Sequence, residues 1–253
     1  MLPELIQRFC VGYGLEVGAG KVPSCDHANT VYLDRFRGNK DATAAPDLVA
    51  DAAAIPVRDG AFDFLFSSHM LEHHQDTLRV LYEWQRVLKP KGILFLVLPH
   101  QARTIDRYRA VTPLQHHIDD YARLGQQEDH SHFAEMQEGW SKLEDFEQLR
   151  AEFEEEWKMK VWDWRGRISN GVIHYHVWSQ NEVVDLLRYV GFSIEYVVDT
   201  VPGSEISFLI VGRKAIGNRQ HSGLPAVGLA NRVQVLASRV LAWTGLGRRV
   251  MSG

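Results

Sequence analysis

The chain has 253 residues, 45% hydrophobic and 24% charged, which is the make-up of a water-soluble globular protein with room for one large domain or one domain with an insertion. Two cysteines, Cys10 and Cys25, exclude a disulfide scaffold and a four-cysteine zinc site and fit a reducing cytoplasm. The net charge of −4 divides into +6 on residues 214–253, which hold no Asp or Glu, and −10 on the rest; an acidic body argues against nucleic acid as a partner.

Residues 2–10 read as a short amphipathic helix, with Glu4 and Arg8 where a signal peptide would be apolar; no stretch reaches the roughly 20 apolar residues of a membrane span. Tyr13 to Val17 reads as a buried strand that breaks at Gly18 and Gly20, residues free to take backbone angles closed to others and to let a ligand approach. Such a strand and turn is where open α/β sheets hold a nucleotide-like cofactor. Asn29 to Leu33 is a second strand ending at Asp34, 16 residues past Gly18, where an acid can bind ribose hydroxyls or cap a turn. Asp47 to Ala50 is a third, followed by Asp51 and Ala52; a carboxylate there can accept from an adenine amino group or cap a helix. Ala61 to Phe66 is the fourth, running into Ser67-Ser68-His69-Met70-Leu71-Glu72-His73. Asp76 to Leu88 has mostly helical spacing, with Trp84 off the apolar face, and Ile93 to Leu98 is an apolar strand of the kind found mid-sheet.

Glu16-x-Gly18-x-Gly20, Asp34, Asp51-Ala52, Phe62-Asp63, Leu71-Glu72-His73 and Arg86-Val87-Leu88-Lys89-Pro90-Lys91-Gly92 together resemble the class I S-adenosylmethionine-dependent methyltransferases. Lys91 stands where that family usually has glycine, and no third glycine follows Gly20. The resemblance implies an α/β fold, a Rossmann-like, doubly wound, seven-stranded and mostly parallel sheet, with S-adenosylmethionine as cofactor. It implies that Glu16, Gly18 and Gly20 hold the methionine end, Asp34 the ribose and Asp51 with Ala52 the adenine, with Ser68, His69 and Met70 beside the sulfonium. His73 either faces the site or caps its helix.

Residues 99–175 are too long for a connection and read as a helical insertion after the fifth strand, a subdomain over the cofactor mouth that selects the acceptor. Gly139 to Lys160 reads as one acidic helix with Leu143, Phe146, Leu149 and Phe153 on a face. His100, His116, His132, His174 and His176 are the candidate catalytic residues, and His174 and His176, two apart, would share a strand face. Three readings of the histidines stay open: a general base, since imidazole titrates near working pH; a metal site with Asp106, Asp119 or Asp120; or hydrogen-bonded structure. No metal ligand set is assigned. Asp106, Arg107 and Arg109 are candidate acceptor ligands, and Arg103 is a further cation for an anionic group. Thr104 to Arg107, Thr112 to His116, His132-Phe133-x-Glu135 and Ile173 to Trp178 resemble, more loosely, a bacterial methyltransferase subfamily found alongside surface-polysaccharide or glycan synthesis, which implies a sugar-like acceptor.

Ser179 to Val190 is a helix opened by a capping box and closed by Gly191, and Phe192 to Val198 with Ile206 to Val211 form the last, antiparallel strands. The methyltransferase domain therefore spans 1–213. Residues 214–253 read as a basic linker and an amphipathic helix from Ala230 to Trp243 that meets an inner membrane face, the body or a second subunit, or stays disordered. The expected activity is O-methylation of a sugar, glycan or other small hydroxylated acceptor in the cytoplasm. The alternatives are N- or C-methylation of a small metabolite, and a scaffold protein without turnover.

Overall fold

The computed structural model describes residues 2–20, 22–26, 28–37, 45–123 and 131–216. Seven strands form one sheet in the order β3-β2-β1-β4-β5-β7-β6. They are β1 (Gly14–Val17), β2 (Thr30–Asp34), β3 (Leu48–Val49), β4 (Phe62–Ser68), β5 (Leu88–Pro99), β6 (Phe192–Val198) and β7 (Ser207–Lys214). The first five run parallel, and β7 lies antiparallel between β5 and β6. This is the expected fold. All four residues of β1 are buried, and its first, Gly14, lies so close to the Phe64 ring that an added Cβ would sit 2.0 Å from Cζ.

Strand alternation sorts the core onto two faces. Leu94, Leu96 and Leu98 of β5 and Phe208 and Ile210 of β7 pack with helices α2 (Thr77–Val87) and α7 (Gln180–Val190). Phe95, Val97, Leu209 and Val211 face the other way, toward Leu5 of α1 (Leu2–Phe9). Trp84, read as off-face, is wholly buried, because α2 is covered by both the sheet and α7 and so buries more than one stripe. The regular alternation of strands and helices holds only from β4 onward. Among the described residues no helix joins β1 to β2, β2 to β3 or β3 to β4, and Pro23, Pro46 and Pro56 remove helix donors in those connections. Lys91, the departure from the glycine of the resemblance, sits at φ 64, an angle glycine takes freely.

The insertion folds as α3 (Leu114–Ala122), whose Leu114, Ile118 and Tyr121 pack on the core under α2 and α7, and as α4 (Ser131–Trp140), α5 (Phe146–Trp157) and α6 (Trp164–Asn170) around a separate apolar cluster of Phe133, Met136, Trp140, Leu143, Val161, Ile173 and Tyr175. The single helix expected over 139–160 is two, broken at 141–145, where Leu143 turns into that cluster. The stretch 172–177 is extended but belongs to no strand; only an isolated bridge ties Trp178 to His100. The α7 capping box is present, with Ser179 and Glu182 satisfying each other's backbone N–H groups, and Gly191 ends the helix at φ 103. The readings on the linker from 217 and on the helix from Ala230 to Trp243 lie outside the described residues. No helix among those described is long and apolar enough to cross a membrane.

Candidate active site

The strand order reverses between β1 and β4, so their carboxyl ends open the crevice in which such sheets bind ligands. Register puts Val17 beside Leu33 and Ser67, and Asp34 beside Val49. The residues expected around the cofactor, Glu16 to Gly20, Asp34, Asp51-Ala52 and Ser68 to Met70, therefore share one edge. Gly18 (φ 73) is packed against Met70, whose Cγ would lie 2.7 Å from an added Cβ. Gly20 (φ 60) has open space, its nearest neighbour being the Gly18 carbonyl at 3.8 Å.

Glu16 does not present a free carboxylate. It is buried, and its two oxygens accept the backbone N–H groups of Ser24 at 2.8 Å and Cys25 at 2.9 Å. Burial raises its pKa against these bonds, so Glu16 braces the loop after the glycine turn. Asp34 accepts from Phe36 N at 2.9 Å and lies 3.4 Å from Gly20 N. Asp51 caps its own turn through Ala53 N at 2.8 Å, while Ala52 is buried. His69, at φ 48, is anchored to Ser207 Oγ at 2.7 Å, and burial, with the charge of His174, pushes its pKa down to about 4. An open positive-φ glycine flanked by carboxylates on the next two strands fits a cofactor with amino-acid, ribose and adenine parts.

Beside this edge the insertion closes on the turn Leu71–His73. Tyr175 N donates to the Glu72 carbonyl at 2.8 Å, and His73 Nδ1 donates to the Ile173 carbonyl at 2.8 Å. Glu72 is wholly buried, and neither carboxylate oxygen has a hydrogen-bond partner among the described residues. His69 Nδ1 lies 3.8 Å and His73 Nε2 3.9 Å from one of them, and burial raises the pKa of Glu72 to about 7.

Asp106 is also buried. One oxygen accepts from Arg109 at 3.0 Å and from the Trp140 indole N–H at 3.3 Å, and the other is 2.6 Å from His174 Nδ1. Burial alone would lower the His174 pKa, but the charge and hydrogen bond of Asp106 outweigh it and hold the pKa above the usual value. With Nδ1 committed to Asp106, Nε2 is left to act. His174 and His73 line one cleft of roughly 350 Å³, walled by Trp140, Phe153 and Trp157. Arg167 also lines it, its guanidinium 4.8 Å from the Trp140 ring and 4.4 Å from that of Phe153. Burial lowers its pKa to about 10.

The expected acceptor ligands separate. Arg109 is buried and spent on Asp106 and on the carbonyls of His174 and Tyr175, both at 2.9 Å, so it holds the dyad and cannot reach an acceptor. Asp106 is likewise internal. Arg107 pairs with Glu144 and Asp145 on the surface, and Arg103 with Asp199. The five candidate histidines separate as well. His100, at the end of β5, accepts from Ala102 N at 3.1 Å and caps a turn. His116, His132 and His176 gather around Asp120, away from the aromatic cleft. His174 and His176 do not act as one face, since each turns to a different carboxylate. Glu72 and the aromatic walls of the cleft carry no role in the sequence reading. Their traces were the quoted Leu71-Glu72-His73 and the crowding of four of the seven tryptophans into residues 140–164.

Residues 15–96 match the family described as a methyltransferase domain. No curated protein matches the chain. A structure from Listeria monocytogenes, provisionally described as an S-adenosylmethionine-dependent methyltransferase, is 14% identical, covers 85% of this chain and 98% of its own, and superposes with a TM-score of 0.51, which shows the fold. S-adenosylmethionine-dependent methyltransferases from Methanosarcina mazei (17% identity, 84% and 98% covered, TM-score 0.46) and Mesorhizobium loti (18%, 81% and 92%, 0.46) are among the similar structures.

Proposed function

We propose that this S-adenosylmethionine-dependent methyltransferase methylates a hydroxyl of a small ring-bearing acceptor, a sugar or glycan in the first instance, with His174 as the general base. The observation that carries the reading is the His174–Asp106 pair at 2.6 Å, opening on a cleft walled by tryptophan and phenylalanine. Aromatic walls suit the flat apolar face of a sugar or aromatic ring, and few polar groups then fix its orientation. The cofactor, when bound, supplies an electrophilic methyl group. His174 Nε2 takes the hydroxyl proton as the oxygen gains its new bond to carbon, and Asp106 stabilises the imidazolium that results. The same reading keeps the enzyme cytoplasmic, with the six cations of residues 214–253 as its means of meeting an anionic membrane or a second copy.

The test uses methyl-labelled cofactor with neutral sugars, acidic sugars, sugar nucleotides, small phenols and small amines, with products located by mass spectrometry and NMR. A methyl ether formed by the wild type and lost in His174→Ala is the expected result. Methyl found on nitrogen or carbon, or turnover intact in His174→Ala, overturns it.

A further inference from the structure

We infer that His116, His132, His176 and Asp120 form a closed four-ligand site for a divalent transition-metal ion, zinc by its donor set, which fastens the insertion to the sheet domain. The inference stands apart from the acceptor reading. In sequence the four are scattered over 61 positions, and three elements bring them together. His116 and Asp120 are one helical turn apart on α3, His132 is on α4, and His176 comes from the extended stretch before α7.

The three Nε2 atoms converge on one oxygen. They lie 3.3 Å (His116), 3.7 Å (His132) and 3.0 Å (His176) from Asp120 Oδ2, and all four ligand atoms fall within 4.8 Å of one another. A tetrahedral ion with bonds of about 2.0–2.1 Å holds its ligands about 3.3–3.4 Å apart. The three separations from Asp120 Oδ2 bracket that spacing.

Hydrogen bonding on the outer side orients the rings. His132 Nδ1 lies 3.1 Å from the Tyr175 carbonyl, which can only accept, so Nδ1 carries the proton and Nε2 turns a lone pair inward. His176 Nδ1 lies 3.0 Å from Thr77 Oγ1, a hydroxyl that can accept from it when Nε2 binds an ion. An N–H given to a carbonyl or hydroxyl while the other nitrogen binds is the usual outer shell of a histidine ligand. His117 is no ligand, because its Nε2 accepts the Trp178 indole N–H at 3.0 Å.

The other oxygen of Asp120 faces Arg123 at 3.8 Å, which leaves Oδ2 for the ion. His132 and His176 are 1% exposed and Asp120 8%, while the His116 side chain is 33% exposed and marks the way in. Three imidazoles and a carboxylate are the mixed donors that zinc accepts, and four protein ligands without an open position make a structural centre rather than a catalytic one. Thr77, first residue of α2, ties the centre to the sheet domain.

The test takes the full-length protein, stripped with a strong chelator, and titrates it with zinc by calorimetry and with cobalt(II) by visible absorption. Circular dichroism monitors folding. The expected result is one equivalent bound, intense tetrahedral cobalt bands and a raised unfolding midpoint. Thr77→Val should weaken zinc by about 10- to 100-fold, as loss of an outer-shell partner does. His116→Gln, at the exposed rim, should remain folded and weaken it further. A folded wild type that takes up no zinc or cobalt overturns the inference, as does a His116→Gln variant that binds as tightly as the wild type.

Discussion

Asp106 accepts from Arg109 and Trp140 on one oxygen and holds His174 on the other. A base must be neutral to accept a proton, so the rate should rise with pH through the pKa of His174, which lies above the ordinary value of 6.5 because Asp106 favours the charged ring. Asp106→Asn removes that charge and the tautomer it enforces. The acidic limb of the pH–rate profile should then move to lower pH, and the plateau should fall by roughly 10²- to 10⁴-fold. An acidic limb left in place would show that Asp106 does not act on the base. Sequence reading marked both residues but could not join them, because 68 positions separate them and no local period links an aspartate on a turn to a histidine on an extended stretch. It also took Arg109 for an acceptor ligand. An arginine's role depends on burial, which its neighbours in sequence do not reveal.

The insertion is an element with its own interior. Met136 is fully buried in a cluster separate from the two that sandwich the sheet. Met136→Ala should cost about 2–5 kcal/mol of local stability, felt within that cluster. Hydrogen exchange should speed up in α4 and α6 and stay slow in β1, β4 and β5; uniform loss of protection would mean that the insertion and the sheet unfold as one. The break between α4 and α5 escaped the periodic pattern for a related reason. Leu143, Phe146, Leu149 and Phe153 all touch this one cluster, so their spacing of three and four continues across a turn that is not helical. Hydrophobic spacing records which side faces the interior, and here two elements share that interior.

At the scale of the whole molecule, the sheet was legible, and with it the strand ends that bring the expected cofactor residues to one edge, because strand ends, glycines and acids lie in local, ordered motifs. The acceptor cleft and the histidine–carboxylate clusters depend on contacts between distant segments, and composition gave only their ingredients. Glu72 belongs to both halves: it sits in a local motif, yet the insertion buries it. Its folded pKa of about 7 lies above the ordinary 4.5. Below pH 4.5 the carboxyl is protonated whether the chain is folded or not, and it contributes no pH dependence. Between 4.5 and 7 the folded chain keeps a proton that the unfolded chain has released, so stability falls as pH rises, by about 3 kcal/mol once ionisation is complete. Glu72→Gln has nothing to ionise. Its stability relative to wild type, from urea unfolding, should therefore increase between pH 5 and pH 8 by about 2–3 kcal/mol. His69 and His73, held down to about 4 and about 3, act in the opposite sense. They stay neutral when folded and charge on unfolding below about 6.5, so they remove stability as pH falls, in both proteins alike. An equal gap at both pH values would mean that Glu72 finds solvent or a partner when it ionises. A gap that widens would mean that the fold bears the cost of a buried acid poised near neutrality, between the strand end expected to take the cofactor and the cleft that holds His174, where such a perturbed group is expected to serve function rather than stability.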